Sequence, residues 1–133
     1  MPKQYTPNDS YFYKAKKEGY RARSAFKLLE LQERFRIIGR GEVVLDLGAC
    51  PGSFMQVAVK VVGGKGKIIG VDIERIEPFK EKNIFTFQCD IFEQEKLASQ
   101  LKDLHIVQVD TIISILLQKR VELKMLISGN LLS

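Results

Sequence analysis

Two rhythms of apolar positions run through this chain. Val43-Val44-Leu45-Asp46-Leu47 is almost continuously apolar, which predicts a strand buried on both faces. The run breaks at Gly48-Ala49-Cys50-Pro51-Gly52-Ser53. Phe54, Val57, Ala58 and Val61 then recur at spacings of three and four, which predicts a helix to about Val62. Gly63 to Gly66 predicts a turn. Ile68-Ile69-Gly70-Val71-Asp72 predicts a second buried strand, and Ile84 to Asp90 a third. Between them Ile73 to Asn83 reads as loop with a weak helix broken at Pro78. A helix over Gln94 to Leu104 and a fourth strand over Val107 to Ser114 complete the alternation.

Two helices precede this unit. Asp9 and Ser10 are suited to cap a helix over Tyr11 to Glu18, which Gly19 ends. Ser24 is suited to cap a second, Ala25 to Phe35, with Phe26, Leu28, Leu29, Leu31 and Phe35 facing inward. Residues 1–8 read as a disordered start, and residues 37–41 as a turn into the first strand. Strands alternating with helices predict a doubly wound, mostly parallel α/β sheet. The 133 residues allow one domain at most. Residues 1–40 form its basic helical segment, 41–114 its ligand-binding half, and 115–133 a tail whose apolar positions hold no clean period.

Composition adds bounds. Hydrophobic residues make up 45% of the chain, enough for a core. No apolar run reaches the ~18 residues of a membrane span, and no signal-peptide pattern is present. Cys50 and Cys89 are too few for a disulfide framework and predict reduced thiols in a cytoplasmic protein. With the lone His105 they predict no metal site.

Charge changes the picture more. The net charge is +5, and residues 1–40 carry ten Lys and Arg against four acids. Lys14, Lys17, Arg21 and Arg23 lie here among Tyr11, Phe12, Tyr13 and Tyr20. Basic side chains neutralise phosphates and aromatics stack on unpaired bases, so RNA is the expected partner. Most charge runs are only solvated faces, and that is the competing reading.

The glycine loop carries the chemistry. Gly48 and Gly52 let the backbone approach a ligand closely, with the first N–H groups of the next helix facing it. The spacing matches neither a dinucleotide fingerprint nor a triphosphate loop. An acid at the end of a second strand grips a ribose in this fold. Asp46, Asp72 and Asp90 are expected at the ends of three strands, on one sheet edge. Carboxylates would repel phosphates and suit a nucleoside with a cationic tail, such as S-adenosyl-L-methionine.

Three of these stretches, L-D-L-G-A-C-P-G-S-F, G-G-K-G-K-I-I-G-V-D and Phe87-Gln88-Cys89-Asp90-Ile91, resemble the FtsJ-type (RrmJ) ribosomal RNA large-subunit uridine 2′-O-methyltransferases. Gly19-Tyr20-Arg21-Ala22-Arg23-Ser24-Ala25-Phe26-Lys27-Leu28 resembles that family's N-terminal motif. The resemblance covers about residues 9 to 114, with four motifs in order. It implies a Rossmann-like fold, S-adenosylmethionine as cofactor, and methyl transfer to a ribose of large-subunit ribosomal RNA by a monomer. It implies that Gly48, Gly52 and Phe54 line the methionine and adenosine side, Asp72 the ribose and Asp90 the adenine amine. Lys27, otherwise an ordinary exposed lysine, takes the place of the catalytic lysine of the F-K-L motif. A non-catalytic cofactor- or RNA-binding module, or a transfer-RNA or messenger-cap 2′-O-methyltransferase, are the alternatives.

The tail departs from the family. The fourth strand should run into D-x-A-P, whose acid lies beside the methyl donor and the target hydroxyl, and this chain has Ile115 there. Codons can be assigned to residues 115–133 such that one restored base re-reads them as D-S-A-P-K-T-S-G and onward. An out-of-frame tail is therefore expected, with an inactive chain lacking the family's later lysine and glutamate. A genuine short divergent protein is the competing reading.

Overall fold

The strand at Val43–Leu47 (β1) lies inside the sheet because its side chains are apolar on both faces. In the computed structural model, residues 7–114 are described, with side chains from Tyr13 onward. The helices Pro7–Glu18 (α1) and Ser24–Phe35 (α2) precede β1. After it come Ser53–Val62 (α3), Lys67–Asp72 (β2), Ile84–Gln88 (β3), Gln94–Asp103 (α4) and Thr111–Ser114 (β4). Among the described residues the sheet order is β3-β2-β1-β4 and every pairing is parallel. The chain steps outward from β1 to β2 and β3, then crosses back to β4 on the other side of β1. The carboxyl ends of β1 and β4 thus flank a topological switch point, where open α/β sheets bind ligands.

Each strand feeds two cores, because successive side chains point to opposite faces. Leu45, Leu47, Ile69, Val71 and Ile112 pack with Leu97 and Leu101 of α4. Val44, Ile68 and Ile113 pack with Leu28 of α2 and Met55, Val57 and Ala58 of α3. Asp46 shares the parity of Val44, so it belongs to the α3 face, with Gly70 and Ile113 as its neighbours in register.

Several expectations need correction. Ser24 does not cap α2: Arg23 holds the N-cap place without a side-chain cap, and Ser24 Oγ bonds Ser53 Oγ instead. Of the apolar stripe on α2, Leu28 is buried, but Leu29 is 37% and Phe35 63% exposed. Pro7 and Asn8 already belong to α1, so helix replaces the expected disorder there. Residues 73–83 form no helix, and β4 begins at Thr111 rather than Val107. β3 stops at Gln88, which leaves Asp90 beyond the strand. The expected start at residues 1–6, and Ile115 with the rest of the tail, lie outside the described residues.

Candidate functional site

The loop after β1 is tied to β2 by its own backbone. The N–H groups of Gly48 and Ala49 both donate to the Val71 carbonyl, at 2.8 and 3.1 Å. This return needs Gly48 at φ 75°, in the left-handed region that a Cβ disfavours. Cys50 N–H then donates to Asp72 Oδ2 at 2.9 Å. Glu74 N–H donates to Asp72 Oδ1, also at 2.9 Å. One half-buried carboxylate at the end of β2 therefore ties the glycine loop to the loop that follows β2. Each oxygen keeps acceptor capacity for another donor.

The three acids do not share one environment. Asp46 precedes the last residue of β1 and is 1% exposed. Among the described residues neither of its oxygens has a hydrogen-bond partner. Burial, and secondarily the charge of Asp72, push its pKa well above the ordinary carboxylate value. Asp90 is exposed in the turn before α4, where its Oδ1 accepts from Phe92 N–H at 2.9 Å. The picture of three equivalent carboxylates at strand ends gives way to one buried, one bridging and one exposed.

Gly52 sits at φ 116° and is buried. A Cβ there would come within 2.6 Å of Phe79 Cζ and 3.1 Å of Arg21 Nη1. Its missing side chain is matched by the protein's own residues, so packing already demands this glycine. Phe54 is 9% exposed, within the core between the sheet and α2 and α3. Cys50 and Cys89 are free, and burial raises both thiol pKa values, with Asp72 the next cause at Cys50.

Lys27 is exposed on α2, in an open groove of about 500 Å³ shared with Arg23, Phe26, Leu29 and Glu33. None of the three sheet-edge acids lines that groove. The start of α2 is nonetheless held to the start of α3 by the Ser24–Ser53 hydroxyl pair at 2.5 Å. Lys17 and Arg23 are exposed, and Lys14 Nζ lies 5.2 Å from the Phe26 ring centroid. Arg21 differs from these. Its guanidinium donates to the carbonyls of Pro51, Glu77 and Pro78, so three of its five N–H donors are turned onto the protein. Sequence reasoning missed Phe79 and Gln56, which lie outside the stretches singled out for chemistry, and Ser53, which lies within the glycine stretch but was given no role. The Pro78-Phe79 step in a polar loop is the one local signal at Phe79.

Among the described residues no group of three or more His, Cys, Asp or Glu is placed to hold a metal. No described helix is long and apolar enough to cross a membrane.

A parallel sheet with a glycine loop at its switch point and an acid closing β2 defines a Rossmann-like α/β fold. The sequence model of the FtsJ-like methyltransferases matches residues 20–125. A protein named ribosomal RNA large subunit methyltransferase E from Myxococcus xanthus is 48% identical over 114 residues, covering 86% of this chain and 53% of that protein. Its namesake in Methanothrix thermoacetophila is 53% identical over 89 residues, 67% of this chain and 33% of that protein. The crystal structure of a protein described as a ribosomal RNA methyltransferase from Plasmodium falciparum superposes with a TM-score of 0.64 at 29% identity, covering 72% of this chain and 56% of that one. The chain belongs to the FtsJ-like methyltransferase family. It spans about half or less of the length of these curated relatives.

Proposed function

We propose that the protein is an S-adenosylmethionine-dependent RNA 2′-O-methyltransferase acting on a uridine ribose of large-subunit ribosomal RNA. The observation that carries this reading is the Asp72 bridge. A carboxylate with spare acceptor capacity at the end of β2, fastened to a glycine loop at the switch point, is suited to the hydroxyls of a ribose. The residues fit the cofactor on a second count. The buried Asp46 carboxylate has no partner among the described residues, and a nearby sulfonium would favour its charged form.

In this reading Asp72 holds the ribose and Asp90 the adenine amine. Gly48 leaves the loop backbone open to the methionine end, and Gly52 and Phe54 support that loop from the core side. The cofactor supplies a methyl group on a cationic sulfur, ready for in-line attack by a ribose oxygen. The chain's work is alignment and proton handling. Lys27 orients the target ribose and stabilises the charge that develops on its oxygen as the hydroxyl proton passes to water. Lys14, Lys17 and Arg23 hold phosphates. Residues 115–133, where the next expected acid falls, are proposed to be an out-of-frame tail; sequencing the gene across codon 114 tests that separately.

Calorimetry of the 133-residue chain with S-adenosylmethionine is the first test. Binding that Asp72→Ala abolishes supports the assignment, and equal affinity in the two proteins removes it. Labelled methyl transfer to large-subunit ribosomal RNA, with the frame restored, then tests the reaction. Label appearing in transfer RNA or cap substrates instead would move the substrate. Binding without transfer to any RNA would leave a non-catalytic module.

A further inference from the structure

Arg21 lies in the turn between α1 and α2, in the segment whose charge points to RNA. Its guanidinium is used differently. Nη1 donates to Pro51 O at 2.9 Å and to Glu77 O at 2.7 Å. Nη2 donates to Pro78 O at 2.9 Å. The guanidinium carbon stands 3.8 Å from the Phe79 ring centroid, a cation–π contact. The backbone of the same residue is held too: Arg21 N–H donates to Gln56 Oε1 at 2.7 Å, and Gln56 Nε2 returns to Gly19 O at 3.1 Å.

The two anchored segments flank Asp72. Pro51 follows Cys50, whose N–H holds Asp72 Oδ2. Glu77, Pro78 and Phe79 belong to the loop that leaves Asp72 through Glu74. One planar cation thus joins the turn before α2, the glycine loop and the loop after β2. Gly52 completes the fit, because a Cβ there would strike both Phe79 and Arg21. Lysine has one compact ammonium and cannot serve three carbonyls in a plane while stacking on a ring.

We infer that Arg21 is a positioning residue that sets the glycine loop and the loop after β2 around Asp72, and that it is not an RNA ligand. Its effect on ligand affinity rests on the proposed S-adenosylmethionine site; its effect on loop order does not. The charge-conserving Arg21→Lys therefore weakens S-adenosylmethionine binding about tenfold in calorimetry, while the far-UV spectrum stays folded. Amide hydrogen exchange at residues 48–52 and 74–79 rises in the same variant. Arg21→Gln leaves the salt slope of RNA binding unchanged, whereas Arg23→Glu lowers it by about one.

Unchanged exchange in both loops for Arg21→Lys would overturn the inference. So would a slope lowered by about one in Arg21→Gln. Unchanged cofactor affinity beside raised exchange would overturn the positioning role and leave a structural tie. If wild type binds no S-adenosylmethionine, the functional reading fails, and the exchange measurement still decides whether Arg21 orders the loops. Should Arg21→Lys not fold, Phe79→Leu keeps the hydrogen bonds and removes the ring. A smaller rise in exchange at the same residues is then expected, and no rise counts against the inference.

Discussion

The hydroxyls of Ser24 and Ser53, the first residues of α2 and α3, hydrogen-bond to each other at 2.5 Å. The bond joins the helix carrying Lys27 to the helix leaving the glycine loop. Its two ends differ in burial. Ser53 is 3% exposed, while Ser24 is half-buried and can turn to water. Ser24→Ala strands a buried hydroxyl and is expected to cost about 1–3 kcal/mol, whereas Ser53→Ala costs less. The double variant recovers part of the Ser24→Ala loss. Urea unfolding of the four proteins checks this, and a larger loss for Ser53→Ala would contradict it.

Asp46 gives a stability that depends on pH in an unusual sense. Its folded pKa is raised well above the ordinary 3.8 by burial first and by Asp72 second. The folded state therefore binds the proton more tightly than the unfolded chain. Stability from this group is full below the unfolded pKa. It declines as pH rises from there through the raised folded pKa, then levels off. Asp46→Asn removes that slope. The two proteins are expected to match near pH 3, with the variant gaining as pH rises. Paired melts across pH measure the difference, and a constant gap at all pH values would dismiss the account.

Two glycines of one turn should respond oppositely to alanine. At Gly66 a Cβ would collide with Val62 Cβ and lie 2.8 Å from the Glu42 carbonyl oxygen, which is backbone and cannot step aside. At Gly64 a Cβ would meet no atom of the described residues within 4 Å, its chain neighbours apart. Gly66→Ala is expected to destabilise by about 1–3 kcal/mol. Gly64→Ala should be neutral or stabilising by under about 1 kcal/mol, through the unfolded chain. Thermal unfolding distinguishes them, and equal effects would contradict the packing around Gly66.

Charge reversal at Lys14, Lys17 and Arg23 tests the basic segment. Each lost phosphate contact lowers the slope of log affinity against log salt by about one. Unaltered slopes would leave these residues as a solvated face.

Lys27 is separable from both binding events. Lys27→Met is expected to preserve S-adenosylmethionine affinity, because its groove excludes the sheet-edge acids. Methyl transfer by the frame-restored protein should fall at least about a hundredfold. A loss of cofactor affinity in calorimetry would place Lys27 at the cofactor instead.

The sequence by itself determined the element order, the central place of β1, the glycine loop and the family. Those signals are local: an apolar run, a helical spacing, a glycine where φ turns positive. Val43 to Leu47 reads as a buried strand from its own residues, and Phe54 to Val61 as a helix from theirs.

Tertiary structure decided what the charged and polar residues do. Asp46, Asp72 and Asp90 look alike as acids near strand ends. They differ because β1 is enclosed by two strands and a helix, β2 opens onto a loop whose N–H groups need an acceptor, and β3 ends early. Arg21 reads as one more cation until the fold brings Glu77 and Pro78, 56 and 57 residues away, against it. Phe35 and Leu29 have the same apolar character as Leu28, but α2 rests on the core along a narrower stripe. Burial and hydrogen bonding are relations between residues far apart in the chain, and local periodicity carries no information about the distant partner.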